Sequence, residues 1–263
     1  MTAIEFGSAA VAPPRDPRAA VVLPERDYAA LRYIGAWYEV AQYQLEDAIF
    51  PERSPTIASR CVRRLLEARF IVVERWNRVG LNLIRLTSRG RMALLERGCE
   101  DDSIFVPERA VALKDLAHHL WIVDAGLMLR ALPVEMNVAP CWMLRRRLAA
   151  TRPPAIPDLL ALRSDASGTT DAVIAVEIDL GGERLKNVFV PKLGVLRDLV
   201  GSWAGQQAAA IIVLTVGPRR IAALNVAIEA QPHTVPIAVF ALPSQTGRPG
   251  LAALRTMLRS VIA

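Results

Sequence analysis

The stretch SPTIASRCVRRLLEARFIVVERWNRVGLNLIRLTSRG, residues 54–90, decides how the rest of the chain is read. Ser54 followed by Pro55 is a helix start. The hydroxyl can accept from the first free backbone amides, and a proline at the first helical position gives up no hydrogen bond. The helix predicted from there runs to about Arg69. At ~100° per residue, Ile57, Ala58, Cys61, Val62, Leu65 and Leu66 fall on one half, and Thr56, Arg60, Arg63, Arg64 and Glu67 on the other. Phe70–Arg75 then reads as a strand, Asn77–Gly80 as a turn and Leu81–Leu86 as a returning strand. Thr87 caps a further helix, Ser88–Arg97.

Upstream, Asp27 is a plausible cap for a helix Tyr28–Tyr38, and a second helical pattern carries Leu45 and Ile49 until Pro51 stops it. Helix, helix, helix, two-stranded ribbon, helix is the winged helix-turn-helix order. Residues 25–98 are therefore the expected first domain, preceded by a proline-rich flexible arm over 1–24. Its charge is distinctive. From Arg53 to Arg97 there are eleven arginines against three glutamates, an excess larger than the +6 of the whole 263-residue chain. Arginine suits bidentate phosphate and base contacts better than lysine does.

These features predict double-stranded DNA as the partner. Thr56, Arg60, Arg63 and Arg64 would enter the major groove, with Arg75, Arg78 and Arg85 on the ribbon reaching the backbone or minor groove. Trp76 reads equally as a wing contact, a dimer contact or a partly buried anchor. RNA is disfavoured, because the aromatic pairs of single-strand readers are absent. One recognition helix reads a short half-site, so a homodimer is expected.

Residues 99–111 read as a linker and 112–263 as an α/β domain. Its predicted helices are Ala112–Leu132, Glu183–Trp203, Arg219–Ala230 and Leu251–Ile262. Its predicted strands lie near Trp142–Leu148, Asp158–Leu162, Val173–Leu180, Ile211–Val216 and Ile237–Leu242. Alternation puts Glu177 and Asp179 on one face of their strand, where Asp158 from the neighbouring strand can join them. Three carboxylates so placed suit a hard cation such as magnesium. Asp115 and Asp124, on the preceding helix, could offer a further carboxylate but read rather as ordinary surface acids. The adjacent His118 and His119 point about 100° apart and read as packing or capping residues. Cys61, Cys99 and Cys141 form no metal-ligand pair, and no resident metal or cofactor is expected. An odd number of cysteines with no secretory segment after Met1 predicts a cytoplasmic location, and no stretch reads as a membrane span.

Pro157-Asp158 and Glu177-Ile178-Asp179 resemble the core of PD-(D/E)xK nucleases. The departure is at Asp179, where that family carries its lysine; Lys186 or Lys192, on the following helix, are the candidates to replace it. The whole layout resembles the replication-relaxation family of bacterial plasmid and integrative-element proteins. The likeness rests on Gln44-Leu45, Ser54–Leu66, Leu86-Thr87-Ser88-Arg89-Gly90, His118-His119-Leu120, Pro157-Asp158 and Val176–Leu180. It implies a winged-helix DNA binder, tied to replication, mobilisation or transcription of a mobile element and to replication or mobilisation proteins as partners. The second domain would then be restriction-endonuclease-like. Without the lysine, the expectation leans away from an enzyme. Were the site active, Asp158, Glu177, Asp179 and Lys186 would be catalytic and magnesium the cofactor. The alternatives are a metal-dependent endonuclease targeted by the winged helix and a protein-interaction scaffold.

Overall fold

The computed structural model describes residues 23–51, 53–76, 80–132, 136–165, 167–205, 207–230, 235–243 and 256. The chain is a mixed α/β protein with two sheets. The arm over 1–22 and, apart from Thr256, the helix expected over Leu251–Ile262 lie outside the described residues.

The first half begins with α1 (Glu25–Ala36), a two-residue strand β1 (Val40–Ala41) and α2 (Gln42–Ile49). Helix α3 (Pro55–Glu67) follows, its Ser54 hydroxyl accepting from Thr56 N at 3.3 Å. Strands β2 (Ile71–Trp76) and β3 (Leu81–Leu86) form an antiparallel hairpin, and β1 pairs with the other edge of β3. Helix α4 (Ser88–Glu96) is capped by Thr87, which accepts from Gly90 N. Asp27 is not the cap of α1. The helix starts two residues earlier, after Pro24, and Asp27 is buried in its first turn.

The second half opens with α5 (Leu113–Arg130). A five-stranded sheet follows in the order β4 (Met136–Pro140), β5 (Leu159–Ser164), β6 (Thr170–Asp179), β7 (Ala208–Thr215), β8 (Ile237–Ala241). The first three strands pair antiparallel; β7 and β8 join parallel, with α7 (Val190–Ala204) and α8 (Pro218–Glu229) as their crossovers. The central β6 is buried from Ala172 to Asp179, which explains its near-continuous apolar run. Two expectations are corrected here. Residues 141–147 form a helix, α6 (Cys141–Arg147), and the strand lies just before it as β4. The helix expected from Glu183 begins as a π-helical turn, Leu185–Phe189, before α7.

Helix α5 positions everything else. Eleven of its residues, from Leu116 through Leu129, are buried, as suits a helix apolar all round. One side meets α2 and β1, the other the sheet, so a single apolar core runs from Leu31 and Leu45 through Val123 and Met128 to Val176 and Leu214. A second core fills the opposite side of the sheet beneath α7 and α8. The joining segment 99–111 is itself packed: Ile104 is buried, Phe105 N donates to Gly35 O at 2.8 Å, and the Phe105 ring lies between those of Tyr38 and Trp142.

Gly126 is where α5 comes closest to the first half. A Cβ there would sit 2.1 Å from Cη2 of the buried Trp37. Gly126→Ala should therefore lower stability by about 1–3 kcal/mol through overpacking. Gly194→Ala on α7, which has open space within 4 Å, should be neutral or slightly stabilising. Urea unfolding midpoints of the two variants test this contrast.

Candidate nucleic-acid interface and acidic cluster

Helix α3 buries Ala58, Cys61, Val62 and Leu65 and exposes Thr56, Ser59, Arg60, Arg63 and Glu67. The division matches the helical period except at Leu66, which is 44% exposed. Arg60 makes no ion pair among the described residues, and Arg63 meets Glu67 only loosely, at 3.9 Å and with both side chains exposed. Arg75 is also exposed, on β2. Arg78 lies outside the described residues.

The other two arginines are spoken for. Arg64 donates Nε and Nη2 to the two oxygens of Asp27, both at 2.8 Å. That carboxylate is 1% exposed. The bond fastens α3 to α1 and holds the guanidinium above its ordinary pKa. Arg85 is mostly buried between Glu39 at 3.4 Å and Glu74 at 3.1 Å. Burial pushes the Glu39 carboxyl up, against the pull of Arg85. The arginines expected to act alike thus divide into Arg60, Arg63 and Arg75, exposed and without a close partner among the described residues, and Arg64 and Arg85, which brace the fold, Arg64 while still about half exposed. Trp76 is half-buried against the cluster of Ala41, Leu83, Leu116 and Leu120, an anchor for the hairpin.

The acids of the second half separate in the same way. Asp158 lies just before β5, opposite Glu177 in the register that pairs Leu159 with Val176. Its Oδ2 accepts from Ile178 N at 2.8 Å and lies 3.2 Å from His118 Nε2. Glu177 is fully buried; its Oε2 takes Lys192 Nζ at 2.5 Å, and its Oε1 has no hydrogen-bond partner among the described residues. Burial, followed by the neighbouring Asp158 charge, pushes the Glu177 carboxyl up to about 8 against the opposing pull of Lys192. Asp179 does not join them. Arg220 of α8 takes it bidentately, and Thr215 Oγ1 donates to it at 2.7 Å. Lys186 is exposed in the π-helical turn, so Lys192, a turn and a half further on, is the lysine that reaches the cluster.

Among the described residues, no three or more His, Cys, Asp or Glu side chains are grouped to hold a metal ion. Asp158 and Glu177, the latter with one oxygen unpartnered among the described residues, are the carboxylates a divalent cation would find there. No family model, curated protein or solved structure matches this chain. Among the described residues, no helix is long and apolar enough to cross a membrane.

Sequence reasoning missed His118. Beyond Asp158, its Nε2 lies 2.9 Å from the Ile178 carbonyl, joining the start of α5 to the end of β6. Two adjacent histidines in a mostly apolar helix were the available signal. Its neighbour behaves oppositely: His119 Nε2 lies 2.6 Å from Glu39 O, and burial holds its pKa down at about 4. His118 is raised: its bond and charge contact with Asp158 outweigh the larger single effect of burial.

Because His119 is neutral when folded and titrates near its ordinary 6.5 when unfolded, its stabilisation holds above that pH and is lost as pH falls towards 4. NMR titration should find His118 protonating first, above 6.5, and His119 last. Between pH 7 and 5, the unfolding midpoint of the wild type should fall further than that of His119→Gln.

Proposed function

We propose that this protein binds double-stranded DNA through a winged helix-turn-helix in which α3 is the recognition helix and the β2–β3 hairpin the wing. The observation that carries the reading is the division of α3. Its apolar face is locked into the core and fastened by Arg64, while Arg60 and Arg63 face solvent with no strong partner. A rigid helix with unengaged guanidiniums is suited to phosphates and to the O6 and N7 of guanine. Arg75 extends the basic surface onto the hairpin. The resemblance to replication-relaxation proteins supports a role as a regulator or accessory factor of plasmid or mobile-element replication, mobilisation or transcription, acting as a homodimer.

The double variant Arg60→Ala with Arg63→Ala should keep wild-type stability. It should lower duplex affinity by about tenfold or more and flatten the dependence of log K on log salt by about 2. Arg64→Ala should instead lower stability, because it leaves the buried Asp27 carboxylate unpaired. Unchanged mobility shifts for the double variant would refute the assignment.

A second reading, a metal-dependent endonuclease carried to DNA by α3, is favoured by the pairing of Glu177 with Lys192 beside Asp158. In that reading Asp158 and Glu177 hold magnesium, which would activate water for phosphodiester hydrolysis. Lys192 keeps positive charge beside the reacting phosphate, and His118 fixes the orientation of Asp158. Magnesium-dependent nicking of supercoiled DNA that is absent in Glu177→Gln would establish it. Intact DNA after incubation with the wild type would leave binding as the function.

A further inference from the structure

A cavity of about 610 Å³ lies where the two halves of the chain meet, away from both α3 and the acidic cluster. Residues of α1 and α2 form one side; the end of α5, β4 and α6 form the other. That volume falls within the range of small-molecule sites. Much of the wall is apolar, including Ala36, Ile49, Leu127, Val138 and Met143.

The polar groups in this wall are unbalanced. Arg32, Arg130 and Arg147 line it against one carboxylate, Asp47, among the described residues. Arg32 and Arg147 have surface partners, Glu25 and Asp102, in ion pairs whose members are all about half exposed and hence easily exchanged. Arg130 has no carboxylate partner among the described residues. It donates to Val138 O at 3.1 Å and lies over the Trp37 ring, 5.2 Å from its centroid. Tyr33 also lines the cavity. It is 7% exposed, and its hydroxyl has no hydrogen-bond partner among the described residues. That hydroxyl is sealed from solvent, so it lies behind the wall and only the ring contributes to the lining.

We propose that this cavity binds a small organic anion, a carboxylate on an apolar body. The carboxylate accepts from Arg130, and the body lies along Ala36, Leu127 and Val138. Inorganic phosphate satisfies the cations but leaves the apolar wall uncovered, so a carboxylate with a ring or short chain fits better. Such a ligand touches both halves of the molecule at once and stabilises their junction. The proposal does not depend on what α3 or the acidic cluster bind.

Calorimetry and thermal unfolding of the full chain test it, with benzoate, 3-phenylpropionate and octanoate as probes and their neutral amides and inorganic phosphate as controls. At least one carboxylate should bind and raise the melting temperature where its amide does not. Arg130→Gln should weaken that binding by about tenfold or more, while Tyr33→Phe, whose lost hydroxyl does not face the space, should bind like the wild type. Arg147→Gln, at the exposed rim, should weaken it without disturbing the fold. The proposal is overturned if no carboxylate binds at about 10 mM. It is equally overturned if amide or phosphate binds as well as the acid, or if Arg130→Gln binds like the wild type.

Discussion

A carboxylate buried in the middle of α5 is the constraint around which the two halves of the molecule are arranged. Asp124 is fully buried and has no cation beside it among its hydrogen-bond partners. The Tyr43 hydroxyl donates to it at 3.0 Å and the Gln44 amide at 2.6 Å, and burial raises its pKa to about 7. The same Gln44 also donates to Leu120 O, and its side-chain oxygen accepts from Ala41 N at the start of α2. Apolar burial around α5 supplies the attraction, but it is non-directional. The Asp124–Gln44–Tyr43 set adds direction, since a slip of α5 along α2 strands several buried polar groups at once. The absence of a side chain at Gly126 lets α5 also lie close against Trp37, at the end of α1.

With that junction fixed, β6 works as an electrostatic divider. Glu177 and Asp179 are two residues apart on one face of one strand, yet they live in different surroundings. Asp179 is fully neutralised by Arg220. Glu177 has one lysine, a nearby acid and a free oxygen. Alternation along a strand fixes which way a side chain points. It does not fix which cation arrives from a helix forty residues later.

That difference also explains what the sequence disclosed and what it hid. The segment from Ser54 to Leu86 was legible because its signals are local: a serine and proline that start a helix, a helical apolar period, and strands flanking a glycine turn. The hairpin ends, β5, β6, β7 and β8 were found within a few residues for the same reason. Strand β4 was hidden because it ends in Pro140 and carries Asn137, residues that read as a loop, yet an edge strand tolerates both. The tryptophan and leucines of α6 suggested a strand in its place. The roles of Arg64, Arg85, Asp179 and His118 were not legible, because each depends on a partner from 11 to 60 residues away. Sequence reading preferred Lys186 to Lys192, and the placed helix reverses that choice, since Lys186 is exposed and Lys192 meets Glu177.

The fastening of α3 has one more consequence. The helix is held mainly through Ala58, Cys61, Val62, Arg64 and Leu65, with Ile57 and the Ser54 cap adding to them, and none of that support passes through the side chains of Thr56, Arg60 or Arg63. Its outward positions are therefore free to vary in evolution, or in a library, without a folding penalty. Under the proposed DNA-binding role, the scaffold acquires a new target by rewriting a handful of codons while the molecule beneath them stays the same.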